Sequence, residues 1–409
     1  MLRLARLARS LPVVLPLAFV AAAVHAMGGQ PPHAAPPLLK SSAPQAGPEA
    51  MLIKTLFEIG QNRLDTALAE IDKLLAVNPN FRLAHLIKGD LLLARARPIS
   101  TLGNADGAPE RIDDLRAEAL ARLARYQQER PRDRVPKYLL QLQPEQKYAL
   151  VVDTTRSTLY VFENHNGEPQ YLADYYVSSG KNGVEKLKAG DKKTPLGVYH
   201  VVASLNRTKL SDFYGIGAYP ISYPNEWDRR QGRDGSGIWL HGTPSDTYSR
   251  PPRASDGCVV LANQDLATIG QKLQIGLTPV IIAEGIDWVA PAETHAVRDV
   301  LVASVEQWRH DWESLDTRAY LKHYSAKFYA GGLDFEAWSK QKTKINAGKS
   351  SIKVALTGIS AFLYPGKDTL AVVTFDQDYS SSNLSDRMKK RQYWVLENGT
   401  WKIAYEGPG

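Results

Sequence analysis

The sequence predicts a mixed fold in three parts: a helical N-terminal segment over 51–127, a mostly-β domain over 137–290, and a cone-shaped α+β domain over 296–409. Three observations predict it. Apolar residues recur at helical intervals up to about residue 127. Beyond the charged linker Gln-Glu-Arg-Pro-Arg-Asp-Arg-Val-Pro (128–136) the pattern changes to short β-type runs separated by turn residues. From about 296 a helical stretch is followed by a set of strands. A chain of 409 residues with 44% apolar content is long enough for two or three domains.

At the N-terminus, Arg3, Arg6 and Arg9 precede an apolar run from Leu11 to Val24, and Val24-His-Ala26 places small residues where a signal peptidase cuts. Residues 1–26 therefore read as a secretory signal peptide. The run contains Pro12 and Pro16 and falls short of the ~20 residues that span a bilayer, so an uncleaved anchor is the lesser alternative. Residues 27–50 are rich in Pro, Ala and Gly, cannot bury a core, and read as an extended tether.

In the helical segment Leu64, Ala67, Leu68, Ile71, Leu74 and Leu75 share one face, and Pro79 closes the turn. The spacing of Ala67, Ile71, Leu74, Pro79 and Gly89 resembles a tetratricopeptide repeat, of which about one and a half units of ~34 residues fit. A plain helical pair is the alternative, with Ile112, Leu115, Ala119 and Leu123 on a further helix. Such a segment would offer a surface to a protein partner.

Strands in the middle domain are expected at Tyr148–Asp153, Thr158–Phe162, Gly197–Val202, Gly237–Leu240 and Pro279–Ala283, with one helix capped by Asn263. In the third part Val300, Val305, Trp308, Trp312, Leu315 and Tyr320 lie at helical spacing. Strands at Ser351–Leu356, Leu370–Phe375, Arg391–Leu396 and Trp401–Tyr405 follow, with a hairpin turn at Glu397-Asn-Gly. Helix followed by curved sheet resembles the nuclear transport factor 2-like (NTF2-like) cone fold. That resemblance implies a pocket for a glycan or small ligand, with most of the aromatic rings serving as core.

The formal net charge is +7, but three of those charges are Arg3, Arg6 and Arg9, which leaves +4 on a processed chain. No Lys/Arg run alternates with aromatics, so a nucleic-acid partner is not expected. A lone cysteine and the lack of a His-Glu-x-x-His run argue against a metal site, and no cofactor is expected. Lys181, Lys186, Lys192 and Lys193 read as a solvated loop.

Cys258 is the one cysteine. In an exported chain cysteines ordinarily pair, so a leftover one is either a reactive thiol or a small buried residue opening the Val-Val-Leu strand. A reactive thiol needs a base. His25, His33, His85, His295, His310 and His323 fall outside the middle domain, His165 sits at a hairpin tip and His200 lies within a strand. His241 ends the strand Gly-Ile-Trp-Leu and opens Gly-Thr-Pro, where a sheet edge holds it rigidly.

His241-Gly-Thr-Pro and Ser255-Asp-Gly-Cys258, with Gly180, Gly190-Asp-Lys-Lys-Thr-Pro-Leu-Gly197, Tyr223-Pro-Asn225 and Gly235-Ser-Gly-Ile-Trp-Leu-His241, resemble the signature of the L,D-transpeptidases. These are exported, hence periplasmic, cysteine enzymes that remodel peptidoglycan, and the likeness runs from about 147 to 284. It implies Cys258 as nucleophile, His241 as base, and the Gly242 carbonyl as the group that fixes the imidazole tautomer. It also implies an oxyanion site from the Gly257 and Cys258 N–H groups, Gly257 letting the substrate carbonyl approach because it lacks a Cβ. Peptidoglycan stem peptides would be the substrate, with Tyr223 and Ser255 lining its path, while Ser255 reads equally as a turn hydroxyl that orients the loop before the cysteine.

Two departures stand out. Many members carry His where this chain has Asp256, and Arg where it has Val260. Arg250 and Arg253, held by Pro251-Pro252, could replace that arginine by gripping a carboxylate of the diaminoacyl residue in the stem. The departures and the third domain resemble a branch that trims tetrapeptides to tripeptides, so L,D-carboxypeptidase stands beside transpeptidase, and a non-catalytic murein-binding scaffold is a third reading.

Overall fold

The computed structural model of the protein describes residues 47–99, 101–104, 109–127 and 131–409. The expected signal peptide and the tether up to residue 46 lie outside the described residues. The chain divides into two compact units, one ending at Ala119 and the other beginning at Leu120.

The first unit is helical: α1 Pro48–Gly60, α2 Leu64–Val77, α3 Arg82–Leu93, and the start of α4 Pro109–Gln127. Pro48, placed in the tether by composition, instead opens α1, where a missing N–H costs nothing. Leu52 and Ile53 of α1, Ala67, Ile71 and Leu74 of α2, and Leu83, Ala84 and Ile87 of α3 bury one apolar stripe. Helix α1 packs on α2, and α2 on α3. The buried Asp90 carboxylate accepts the Gly103 and Asn104 N–H groups and holds the following loop.

In the second unit the chain runs through β1 Val135–Pro136, β2 Leu139–Gln141, β3 Tyr148–Asp153, β4 Thr158–His165, β5 Glu168–Gly180, β6 Gly197–His200, β7 Ala218–Pro220, α5 Glu226–Arg230, β8 Trp239–His241, β9 Arg253–Ser255, β10 Val259–Leu261, α6 Asn263–Gly270, β11 Pro279–Ala283 and β12 Trp288–Val289. One sheet has the order β6-β11-β3-β4-β5-β10-β8-β7, with β9 paired to β5. It is mixed, since β11 runs parallel to β3, β10 to β8 and β9 to β5.

Its central strands are buried on both faces. Leu150, Val152, Leu159, Val161, Val280 and Ile282 fill one core, while their alternating neighbours Ala149, Val151, Tyr160, Phe162, Ile281 and Ala283 fill another. Double burial accounts for the unbroken apolar runs Ala-Leu-Val-Val and Val-Ile-Ile-Ala, which do not alternate with polar residues.

The second face is covered by the C-terminal part: α7 Pro291–Glu313, α8 Thr317–Leu321, β13 Tyr329–Ala330, β14 Leu333–Asp334, α9 Phe335–Ala347, β15 Ile352–Tyr364, β16 Lys367–Ser381, β17 Leu384–Glu397 and β18 Thr400–Pro408. Its sheet order is β18-β17-β16-β15-β2, so a strand that precedes the catalytic sheet in sequence completes it. The joint is polar as well as apolar. Asn225 donates from Nδ2 to the Tyr364 hydroxyl at 2.5 Å, Arg391 pairs with Glu226 at 2.9 Å, and Trp227 stacks on Tyr393.

Inside this cone Trp308, Trp312, Tyr320, Tyr324 and Phe328 are buried, as expected of most of its aromatic rings, whereas Tyr329 is half exposed and Val300, at the same helical spacing as Trp308, is exposed. Among the rings lies a polar network. Lys390 and Glu406 are 3.5 Å apart, and Gln392 and Tyr324 each donate to Glu406 at 3.1 Å. The predicted strands are present but longer, because β16 and β17 continue past the core with opposite charges face to face at Asp376–Lys389 and Asp378–Arg387. Helix α9 is not visible as an apolar stripe. Its start is set by Asp334, which accepts the Ala337 N–H at 2.9 Å.

Candidate active site

Two parallel strands place the thiol beside the imidazole. Val259 pairs with Leu240 and Val260 with His241, so Cys258, one residue before β10, lies diagonally across from His241. Residues 258 and 260, and 239 and 241, share faces by the two-residue strand period. The Cys258 thiol donates to the Gly237 carbonyl at 3.3 Å, and the Trp239 N–H is directed at the sulfur. Burial pushes the thiol up to about 11, against the pull of that N–H and of Arg250. At neutral pH it is a thiol.

His241 is 1% exposed. Its Nδ1 lies 2.7 Å from the Gly242 carbonyl, which can only accept, so Nδ1 carries the proton and Nε2 the lone pair. Burial lowers its pKa to about 4, with the Gly242 hydrogen bond opposing and Arg250 assisting. Phe213 and Tyr214 pack on the ring with centroids 5.9 and 5.2 Å away. The Gly242 carbonyl thus takes the place expected of it. Its Cα has no room for a side chain, since a Cβ would meet Asn263 Oδ1 at 2.1 Å.

Thiol and imidazole are both neutral over a broad range, which fixes the expected pH profile. Nε2 can accept a proton only while unprotonated, so the acid limb of kcat/KM should fall near pH 4, well below the ordinary histidine value of 6.5. An acid limb between 6 and 7 would instead indicate a resting thiolate–imidazolium pair. The unfolded chain takes up the same proton at higher pH, so stability also declines as pH falls from 6.5 towards 4, and circular dichroism at each pH separates the two effects.

The remaining site residues divide. Arg250 is half-buried, stacks its guanidinium over Phe213 at 4.5 Å, and acts electrostatically on both His241 and Cys258. It is the cation that acts on both groups; Lys186 acts on Cys258 as well. Asp256 is exposed and pairs with Lys181 at 2.9 Å, which holds its carboxyl below the ordinary range. Arg253 is exposed on β9 and lines a separate cavity.

Two expectations are corrected, and one alternative is selected. Ser255 is buried and does not face a substrate path: its hydroxyl donates to the Cys258 carbonyl at 2.6 Å and accepts the Gly257 N–H at 3.1 Å, closing the turn before the cysteine. That bond occupies the Gly257 N–H, which leaves the Cys258 N–H of the two expected oxyanion donors. Gly257 is required for another reason, because its φ of +123° is unsuited to a side chain and a Cβ would meet the Lys193 carbonyl at 2.7 Å. Tyr223 is core: it packs edge-on against Tyr199 and donates to the Asp234 carbonyl at 2.9 Å, while Asn225 of the same motif serves the joint with the C-terminal sheet.

Sequence reasoning missed the residues that brace the loops. Thr194 accepts the Gly180 N–H at 2.8 Å and donates to the Gly257 carbonyl at 3.0 Å, tying three motif segments together. Asp191 binds Lys186 at 2.8 Å and accepts three backbone N–H groups, so Lys186 is buried and structural rather than solvated. Asn263 is the first residue of α6, not its cap. Its Oδ1 accepts the Ile216 and Thr243 N–H groups, and its Nδ2 donates to the Thr243 carbonyl at 2.9 Å. His200, the strand histidine of this domain, lies near Arg391, Glu226 and Lys389 at the joint. Among the described residues no group of three or more His, Cys, Asp or Glu is placed to hold a metal ion.

Comparison with known proteins identifies two domains of the chain. Residues 147–282 match the family model of the L,D-transpeptidase catalytic domain, and residues 300–407 match that of the Cds6 C-terminal NTF2-like domain. Among solved structures the chain is similar to Bd1075 of Bdellovibrio bacteriovorus, at 30% identity over 68% of this chain and 98% of that one with a TM-score of 0.60. It is also similar to the helical cell shape determining protein Pgp2 of Campylobacter jejuni, at 26% identity over 66% of this chain and 95% of that one with a TM-score of 0.57. No curated protein sequence matches. With one relative matched over nearly its whole length, and with family models fitting the catalytic sheet and the C-terminal cone separately, the chain belongs to the L,D-transpeptidase family of peptidoglycan-acting enzymes and carries an NTF2-like domain at its C-terminus.

Proposed function

We propose that the protein is an exported, periplasmic L,D-transpeptidase that acts on stem tetrapeptides through a thioester on Cys258. The observation that carries this reading is the pairing of a buried, tautomer-fixed imidazole with the thiol on adjacent parallel strands. Export rests on the N-terminal charge and apolar pattern.

Cys258 Sγ attacks the carbonyl before the terminal residue while its proton passes to His241 Nε2, and the oxyanion is received by the Cys258 N–H. The C–N bond then breaks, His241 returns the proton to the leaving amine, and a thioester remains. An amine from a second stem attacks the thioester, passes its proton through His241, and regenerates the thiol with a new amide bond. Arg250, beside both groups, attracts the anionic stem and stabilises the developing negative charge.

A second reading replaces the amine by water, giving an L,D-carboxypeptidase that trims tetrapeptide to tripeptide. The likeness to Pgp2 across both the catalytic and the C-terminal parts favours it, and with it a role in cell shape. Incubation of the purified protein with disaccharide tetrapeptide, read by product mass, decides between them. Cross-linked dimer is the expected product. Tripeptide alone would transfer the assignment to hydrolysis, and unchanged tetrapeptide would overturn both.

A further inference from the structure

The last turns of α4 lie in the second unit and reach β5 with two arginines one helical turn apart. Arg125 donates from Nε to Asp174 Oδ1 at 2.8 Å and from Nη2 to the Asp174 carbonyl at 2.9 Å. Arg122 is 2% exposed and sets its guanidinium over the Tyr176 ring, 3.8 Å from the centroid. Asp174 and Tyr176 share a face by the two-residue strand period, so one helix face grips one strand face. A desolvated cation on a ring face is held there electrostatically, which fixes the direction in which the phenol points.

The Tyr176 hydroxyl points to the active-site loop and donates to the Arg250 carbonyl at 3.0 Å. That loop has to be anchored through its carbonyls, because Pro251 and Pro252 supply no N–H. Its next anchor also comes from β5, where the Ser179 N–H donates to the Pro252 carbonyl at 2.9 Å. At the other end the Arg250 guanidinium donates to the Phe213 carbonyl at 3.4 Å and stacks on the Phe213 ring. Arg250 is thus tethered twice, by its backbone to Tyr176 and by its side chain to Phe213. Strand β5 also pairs with β10 at Ser178–Val260 and Val177–Leu261, so the strand that anchors the Arg250 carbonyl seats the strand that follows Cys258. One strand therefore sets the cation and the nucleophile in register.

We propose that Arg122 and Tyr176 are a positioning pair for the active site: Arg122 orients the Tyr176 ring, and the Tyr176 hydroxyl holds Arg250 where its charge acts on Cys258 and His241. Both residues act through Arg250. The inference rests on the reading of Arg250 as the cation that acts on the reacting groups.

The test uses the full chain and no peptidoglycan. Cys258 is alkylated with iodoacetate, an anion, and with iodoacetamide, its neutral counterpart, across alkaline pH. The ratio of the two rates reports positive charge at the sulfur, whereas altered access or stability alone slows both reagents together. Tyr176→Phe removes one hydroxyl and keeps the ring. It should lower the ratio about threefold and move the alkylation profile to higher pH, because Arg250 pulls the thiol down. Lys186 also pulls it down and Asp256 pushes it up, and both are intact in this variant. Arg122→Met should shift the ratio in the same direction, and Arg122→Lys, which keeps a cation for the ring, should restore most of it. Arg250→Gln should lower the ratio at least as far, and adding Tyr176→Phe to it should change nothing more. An unchanged ratio in Tyr176→Phe, including one in which both rates fall together, would make the pair structural only and overturn the inference. A Tyr176→Phe effect that persists in full beside Arg250→Gln would overturn it too, and an unchanged ratio in Arg122→Met would remove Arg122 from the pair. A wild-type ratio in Arg250→Gln would instead refute the underlying reading of Arg250, so the two failures are told apart.

Discussion

Alanine in place of Cys258 should reduce tetrapeptide turnover roughly 10⁴-fold or more, because acyl transfer by thioester has no other route. The substitution should leave the fold intact. The thiol's contacts are to the backbone, the Gly237 carbonyl and the Trp239 N–H, and the turn that presents it is held by Ser255 and Thr194. His241→Ala should cost nearly as much, since a thiol pushed up to about 11 supplies little thiolate at neutral pH without a base. Full-chain Cys258→Ala with more than a few per cent of wild-type turnover, at unchanged thermal stability, would remove the thiol from the mechanism.

The second large effect concerns stability. Glu406 is buried in the C-terminal cone. Burial pushes its carboxyl up, but Lys390, Lys342 and the hydrogen bonds from Gln392 and Tyr324 hold it below the ordinary range. Lys390→Ala leaves this carboxylate without its ion-pair partner, and losing one member of a buried pair costs about 3–5 kcal/mol. The sign with pH follows. Without Lys390 the leading influence that lowers the carboxyl pKa is lost while burial still raises it, so the folded-state pKa rises and the penalty should be largest at neutral pH and shrink at low pH, where Glu406 is protonated. Lys390→Met combined with Glu406→Leu should recover most of the loss, because neither charge then remains buried. Urea unfolding of the single variant within 1 kcal/mol of wild type at pH 7 would show that the pair does not hold the cone together.

The placement of Cys258 beside His241 was legible because its signal is chemical and local: a thiol, a glycine with a special backbone, and a histidine at a strand end all survive as letters. The substrate path was not. Ser255 stands in the same motif as Cys258 and Tyr223 in a separate motif of the same signature, yet one closes a turn and the other anchors a core, and only the three-dimensional hydrogen bonds separate those roles. Asn263 gives a cap signal in sequence, but its side chain turns away from the helix to brace the loops around His241, a contact made across 47 residues to Ile216. Domain order was readable from the change in hydrophobic period. The two-sided burial of β3 and β11 was present in the runs Ala-Leu-Val-Val and Val-Ile-Ile-Ala, but nothing in those letters names what covers the second face. Helix α9 escaped because its polar composition carries little periodic signal.

Strand β2 gives the chain a direction in time. Gln141 donates from its side chain to the Ile359 carbonyl, a partner 218 residues later, and the same strand pairs with β15. During synthesis β2 emerges long before the sheet that receives it, so its backbone groups wait unpaired while the catalytic sheet forms. The apolar outer face of that sheet, at Val151, Phe162 and Ile281, waits with it. An interrupted chain is therefore left with a sticky strand and a sticky face, while the finished chain closes both at once. Cutting the gene between the two halves would not yield two interchangeable modules, and a shuffled C-terminal cone would have to bring its own edge strand.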